Sequence, residues 1–148
     1  MELTGNLAFN YAKTKNAKAL ALADTIIAYD KKGLSAEPYY FKGVYYDNIN
    51  TKNKALEQFD LAIQKDYNFL DAYMEKGRIL YERKKTADAL KVFQLSTTIS
   101  PAFADGYLWL AKCKEALNQK EEALADYQRA FGFDKTLIEA KEGIERLK

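Results

Sequence analysis

Alanine recurs every 34 residues, at Ala21, Ala55, Ala89 and Ala123, and each is followed by a leucine, Leu22, Leu56, Leu90 and Leu124. A fixed period of this length restricts a chain to a row of similar supersecondary units, because one unit cannot bury its apolar face alone and must lean on its neighbours. Four residues after each alanine stands Thr25, Phe59, Phe93 or Tyr127, and three further on Ala28, Ala62, Ser96 or Ala130. Steps of four and three put these side chains on one helical face, small and large in alternation. In the other half of each unit Tyr39, Tyr73 and Tyr107 repeat, with Gly43, Gly77 and Ala111 four residues later. Small residues let two helices approach closely, and a tyrosine fills the space beside them.

This order of an aromatic, a small residue, then Ala, an aromatic and Ala resembles the tetratricopeptide repeat. Repeats 36–69, 70–103 and 104–137 carry it, with Pro101 at the family's closing proline and Tyr67 and Lys135 in its place elsewhere. Residues 2–35 match in the second helix but put Gly5 and Phe9 where the aromatic and the glycine belong, so they form a degenerate first repeat. A terminal unit departs from the pattern because one of its sides faces solvent. The resemblance implies an all-α, right-handed superhelical stack of antiparallel helix pairs, an α-solenoid in one domain, with about four repeats and a capping helix at 138–148. Helices are expected at 3–14, 17–31, 36–48, 53–65, 70–82, 87–99, 104–117 and 121–132. Ser35 with Pro38, Thr86, and Asn118 with Glu121 read as helix-start signals. In the cap, Ile144 and Leu147 are free to pack.

Composition narrows the function. Lys and Arg number 23 against 21 Asp and Glu, a net charge of +2, too small an excess for a nucleic-acid binder. There is no histidine, which removes the commonest general base and transition-metal ligand. The one cysteine, Cys113, aligns with Tyr11, Tyr45 and Ile79, a column that marks a packed helix face and an inert thiol. No phosphate loop or dinucleotide turn occurs, and Glu121 and Glu122 stand at a helix start, where the dipole accounts for them. Neither catalysis nor a cofactor or metal is expected. No apolar run reaches the length that spans a bilayer, so direct membrane insertion is not expected. A cytoplasmic location fits the chain as written, and a periplasmic or cell-surface one if a leader has been removed.

The resemblance also implies that repeat positions 2, 5, 9 and 12 of each leading helix face a concave groove. Position 2 holds Glu37, Asp71 and Asp105, with Glu139 in the cap; position 5 holds Asn6, Tyr40, Met74 and Leu108. Position 9 holds Asn10, Val44, Arg78, Lys112 and Arg146, and position 12 holds Lys13, Asp47, Tyr81 and Glu115. The acidic ladder is also what first-turn dipoles favour anywhere, and the apolar column serves equally as core between hairpins. Family modules that grip a C-terminal carboxylate use Lys and Asn at positions 5 and 9, Asn at 6, then Lys at 2 and Arg at 6. Only Asn10 fits that set, and Asp71, Glu75 and Asp105 would repel a carboxylate.

The expected function is a scaffold that holds a protein or peptide in this groove, anchored by Tyr40, Met74, Leu108 and Tyr81 and oriented by Asn10, Arg78 and Lys112. The alternative is a structural role, either self-association into a homo-oligomer or service as a segment of a larger helical-repeat assembly, through end surfaces at Leu7, Phe9 and Tyr11 or at Phe131, Phe133 and Leu137. RNA-reading helical repeats need a basic track, which Glu37, Asp71 and Asp105 oppose.

Overall fold

The computed structural model describes residues 2–148, and every regular element among them is a helix. In chain order these are α1 (Glu2–Lys13), α2 (Lys18–Tyr29), α3 (Glu37–Asn48), α4 (Lys52–Lys65), α5 (Leu70–Glu82), α6 (Thr86–Ile99), α7 (Ala104–Ala116), α8 (Lys120–Phe133) and α9 (Ile138–Leu147). The expected boundaries hold to within a few residues.

The turn inside each hairpin has one chemistry that the sequence signals did not reveal. Asn50, Lys84 and Asn118 adopt φ of 62°, 63° and 61°, with Lys15 at 60° in the first hairpin. A left-handed residue after a helix lets the next amide reach back to an orphan carbonyl. Accordingly Asn16, Thr51, Lys85 and Gln119 donate to Tyr11, Tyr46, Leu80 and Lys114 carbonyls at 2.8, 2.8, 2.9 and 2.8 Å. Two expected caps are thereby corrected: Thr86 lies inside α6, whose N-cap is Lys85, and Asn118 ends a turn rather than capping α8, whose N-cap is Gln119. Neither of those N-caps makes a side-chain cap bond.

Between hairpins the chain turns on Asp or Ser. Asp66 and Asp134 accept the amides of Asn68 and Thr136, each at 2.9 Å, and the Phe103 amide reaches the Ser100 carbonyl at 3.0 Å. The carboxylate bonds are how Asp competes with helix continuation; at Ser100 the turn shown is a backbone one. Asp30 does the same in a longer loop, accepting from Lys32 at 3.2 Å and Ser35 at 2.6 Å around Gly33, φ 62°.

The molecule divides into two compact units, residues 1–72 and 73–148. In the first, Ala55, Phe59 and Ala62 are fully buried, and Gly43 admits the Phe59 ring: a Cβ there would meet ring carbons at 2.5 Å. The first hairpin departs from the expected register. Ala21, Thr25 and Ala28 are exposed, whereas Ala19, Ala23 and Ile26 are buried; these precede Ala55, Phe59 and Ala62 by 36 residues, as Asp30 precedes Asp66. The glycine place in α1 belongs to buried Ala8, which stands 35 residues before Gly43, and not to Phe9. A turn shortened by one residue and a linker lengthened by two displaced the helices while leaving the Ala-Leu pair to mimic the 34-residue register.

In the second unit Phe93 is fully buried, and Gly77 gives it room, since a Cβ would lie 2.4 Å from its ring. The last core joins Leu108, Ala111, Ala123, Tyr127, Ala130 and Ala140, with Ile144 and Leu147 of α9 packed against it. α9 therefore caps this unit as the sequence implied. Phe131 and Leu137 lean on the same core, but Phe133 stays 53% exposed, stacked on Tyr107 at 5.6 Å. Asp126 is buried, bonded by Lys114 at 2.5 Å and Arg129 at 2.7 Å.

Candidate functional site

In the second unit the leading helices α5, α7 and α9 meet at a recess of about 260 Å³ lined by Tyr81, Lys112, Glu115, Ala116, Tyr127 and Arg146. Positions 9 and 12 of successive repeats supply four of these six, because those offsets fall one turn apart on a helix. The recess is held by one carboxylate. Glu115 accepts Arg146 Nε and Nη2, each at 2.8 Å, and the Tyr127 hydroxyl at 2.7 Å. The Arg146 bonds hold the Glu115 carboxyl below the usual carboxylate range despite its partial burial, and Tyr127 adds to this. Burial pushes the Tyr127 phenol up, and its bond to Glu115 reinforces the shift. Tyr127 lies outside the expected site, because its column reads as core; its hydroxyl is what bonds Glu115.

Above the recess, Trp109 stacks on Phe93 at 5.4 Å and meets Tyr81 edge-on at 5.6 Å. The Lys112 ammonium stands 4.1 Å from the Trp109 ring centre and bonds Glu139 Oε2 at 2.9 Å. Arg78 is held on both sides: Glu75 Oε2 takes Nε and Nη2 at 3.1 and 2.7 Å, and Glu82 Oε1 takes Nη1 at 2.7 Å. The cations expected to orient a ligand are thus engaged by carboxylates of their own unit. Met74 remains partly exposed.

Leu108 requires correction. It is only 5% exposed and belongs to the core with Ala111 and Tyr127, because the cap helix supplies an apolar neighbour that turns position 5 of this repeat inward. It is not available to a partner.

In the first unit Tyr40 and Val44 are partly exposed. Tyr40 stacks with Phe9 at 6.0 Å and meets Phe69 edge-on at 5.2 Å, and Lys13 lies 5.4 Å over the Phe9 ring. With α1 displaced by one residue, Gly5 and Phe9 stand where Tyr40 and Val44 stand in α3, while Asn6 and Asn10 are exposed beside them. A second recess, about 410 Å³, is lined by Glu2, Gly5, Asn6, Ile26, Ser35, Glu37 and Phe41.

Cys113 is fully buried, and burial pushes its thiol up to about 12, so the thiolate needed for nucleophilic attack is absent at neutral pH. Among the described residues no three Cys, Asp or Glu side chains converge as a metal site, and no helix is long and apolar enough to cross a membrane.

Because the folded pKa of Glu115 is depressed, its contribution to stability is present above its unfolded value, about 4.3, and is lost as pH falls through the lower folded value. Asp30 and Asp134, held low by bonds from Ser35 and Thr136, act in the same sense, and Asp105, raised by burial and by Asp134, opposes them. The urea midpoint should therefore fall on acidification below about pH 4.3, and fall less steeply in Arg146→Met. Equal slopes for parent and variant would remove Glu115 from this account.

Successive helical hairpins, each closed by a left-handed turn, with small-residue and aromatic columns locking the second and third, define a helical-repeat protein. Residues 104–136 match the tetratricopeptide repeat model, and the chain carries the fold of tetratricopeptide repeat proteins. It superposes on MamA, residues 41 to the end, from Desulfovibrio magneticus RS-1 with a TM-score of 0.78 at 22% identity, over 99% of this chain and 82% of that one. The first tetratricopeptide domain of Spaghetti (RPAP3), bound to an HSP90 peptide, aligns with a TM-score of 0.72 at 19% identity, over 76% of this chain and 90% of that one. YrrB, a tetratricopeptide protein with an unusual peptide-binding site, aligns with a TM-score of 0.71 at 19% identity, over 95% and 74% of the two chains. No curated protein matches the chain in sequence.

Proposed function

We propose that the protein is a non-catalytic scaffold that holds a protein or peptide segment against its leading helices. The observation that carries this reading is the recess between α5, α7 and α9, where Tyr81 and the Lys112 stem, with Trp109 packed against both, offer apolar surface beside polar groups. Pockets of this mixed character anchor partners, since aromatic residues contribute large area at small entropic cost. Peptide capture by YrrB and by the Spaghetti domain supports the same use of the fold. Met74 and Arg78 extend the surface along α5, and in the first unit Asn6, Asn10, Tyr40 and Val44 form a separate candidate face.

Peptides selected from a random display library against the intact chain provide the test. Met74→Ala with Tyr81→Ala should weaken the selected binders by about tenfold or more, the loss typical of anchor truncation. Tyr29→Ala, at a 72% exposed position on a second helix, should leave them unchanged. Equal binding by the Met74 and Tyr81 double variant, shown folded by circular dichroism, would refute the assigned face.

A second reading, self-association, is favoured by Leu3 and Leu7, which are 85% and 44% exposed on one face of α1. Light scattering at micromolar concentration decides it: a dimer lost in Leu3→Lys with Leu7→Lys would make assembly the primary role.

A further inference from the structure

Resting on that reading, we infer that the segment held by the second unit is uncharged where it crosses α5, α7 and α9, and that its anchor is an aromatic or long aliphatic side chain. Three cations at repeat position 9, Arg78, Lys112 and Arg146, give this face its basic appearance in sequence. Each is already matched. Glu75 and Glu82 flank Arg78, Glu139 takes Lys112, and Glu115 takes two nitrogens of Arg146. These carboxylates are tethered to the same unit, so their effective concentration at the cation far exceeds that of a free ligand group. A guest carboxylate would exchange like for like, and would lose its own hydration to do so.

A guest cation fares no better. Glu115, the carboxylate lining the recess, has both oxygens committed, one of them twice, to Arg146 and Tyr127. Asp71 and Asp105 stand in the first turns of α5 and α7, toward the other end of those helices, and what the face around the recess has left to give is apolar contact: the Tyr81 ring, the Trp109 edge, the Met74 side chain and the Lys112 stem. Charge complementarity therefore selects a neutral occupant, and its affinity should come from area and shape, which salt does not screen.

The experiment uses peptides of about twelve residues, selected from a fully random library on the intact chain and ranked by their sensitivity to the Met74 and Tyr81 double variant. For the sensitive set, dissociation constants should change less than about twofold between about 50 and about 500 mM NaCl, and enrichment should fall on aromatic and aliphatic residues. Glu82→Gln with Glu139→Gln, at side chains 50% and 63% exposed, should open the face to anions: peptides carrying Asp or Glu gain about threefold or more at the lower salt. Sensitive peptides rich in Asp, Glu, Lys or Arg that weaken tenfold or more over that salt range would overturn the inference while leaving groove binding intact. A library with no peptide sensitive to the double variant would overturn both.

Discussion

Replacing Phe93 by alanine should lower the unfolding free energy by about 3–5 kcal/mol, the loss expected when a buried ring becomes a cavity that neighbours cannot fill. Phe93 is fully buried, lies against Gly77 and carries the stacked Trp109 ring. Against a total of about 5–15 kcal/mol for a domain, such a change leaves the second unit barely folded. Urea denaturation followed by Trp109 fluorescence measures it directly, because the single tryptophan reports on the same contact. The converse change has a related effect. Gly77→Val puts a Cβ 2.4–2.9 Å from Phe93 ring carbons, and overpacking of this kind costs about 1–3 kcal/mol. The two sites share a contact, so Gly77→Val in a Phe93→Leu background should cost less than in the parent. A loss below about 1 kcal/mol for Phe93→Ala would show that the glycine-aromatic lock does not hold this unit together.

The second large effect concerns Asp126. Its carboxylate is 1% exposed and held by Lys114, itself 19% exposed, and by the more exposed Arg129. Removing Lys114 leaves a buried charge with one solvent-facing partner, so Lys114→Leu should cost about 2–3 kcal/mol, somewhat under the value for a fully stranded charge. The preceding repeat supplies the remedy. Leu80 and Val92 occupy the corresponding places, 34 residues earlier, and both are buried. Lys114→Leu with Asp126→Val should therefore lie within about 1 kcal/mol of the parent or above it, since apolar pairs replace buried ion pairs without loss in other folds. Equilibrium unfolding of the two single variants and the double closes the cycle. A double variant as weak as Lys114→Leu alone would mean that the pair is integral to this hairpin rather than exchangeable.

Much of the architecture was legible because it depends on short-range rules. Helical spacing, the Ala-aromatic-Ala columns and the Gly43–Phe59 and Gly77–Phe93 pairings recur at one period, and each recurrence repeats the same local packing problem. The first hairpin was misread because Ala21 and Leu22 preserve the period while the buried set Ala19, Ala23 and Ile26 does not. Repetition in sequence indicates burial only where linkers keep their length. The caps expected at Thr86 and Asn118 fail for a different reason, although the helices begin within a residue of their expected starts: cap residues are ambiguous in sequence, and a left-handed Asn or Lys in the preceding turn fixes the boundary instead.

The candidate site was legible by position but not by state. Repeat offsets brought Tyr81, Lys112, Glu115 and Arg146 to one place, as a helix of 3.6 residues per turn requires. They could not show that Leu108 turns inward beneath α9, that Tyr127 reaches Glu115, or that each position-9 cation of the second unit already has a carboxylate. The pairs of Arg78 lie within one helix, at spacings of three and four, but the Tyr127–Glu115, Lys112–Glu139 and Arg146–Glu115 bonds join residues 12, 27 and 31 positions apart in the chain, and no periodicity encodes them. The period itself settled the helices, their pairing into hairpins and the face that the second, third and fourth hairpins bury, because these follow from contacts within one or two turns. Tertiary structure alone settled that Lys112 and Arg146 are spent and that Leu108 is covered, because a pair between α7 and α9 or a leucine beneath the cap exists only once separate helices have met.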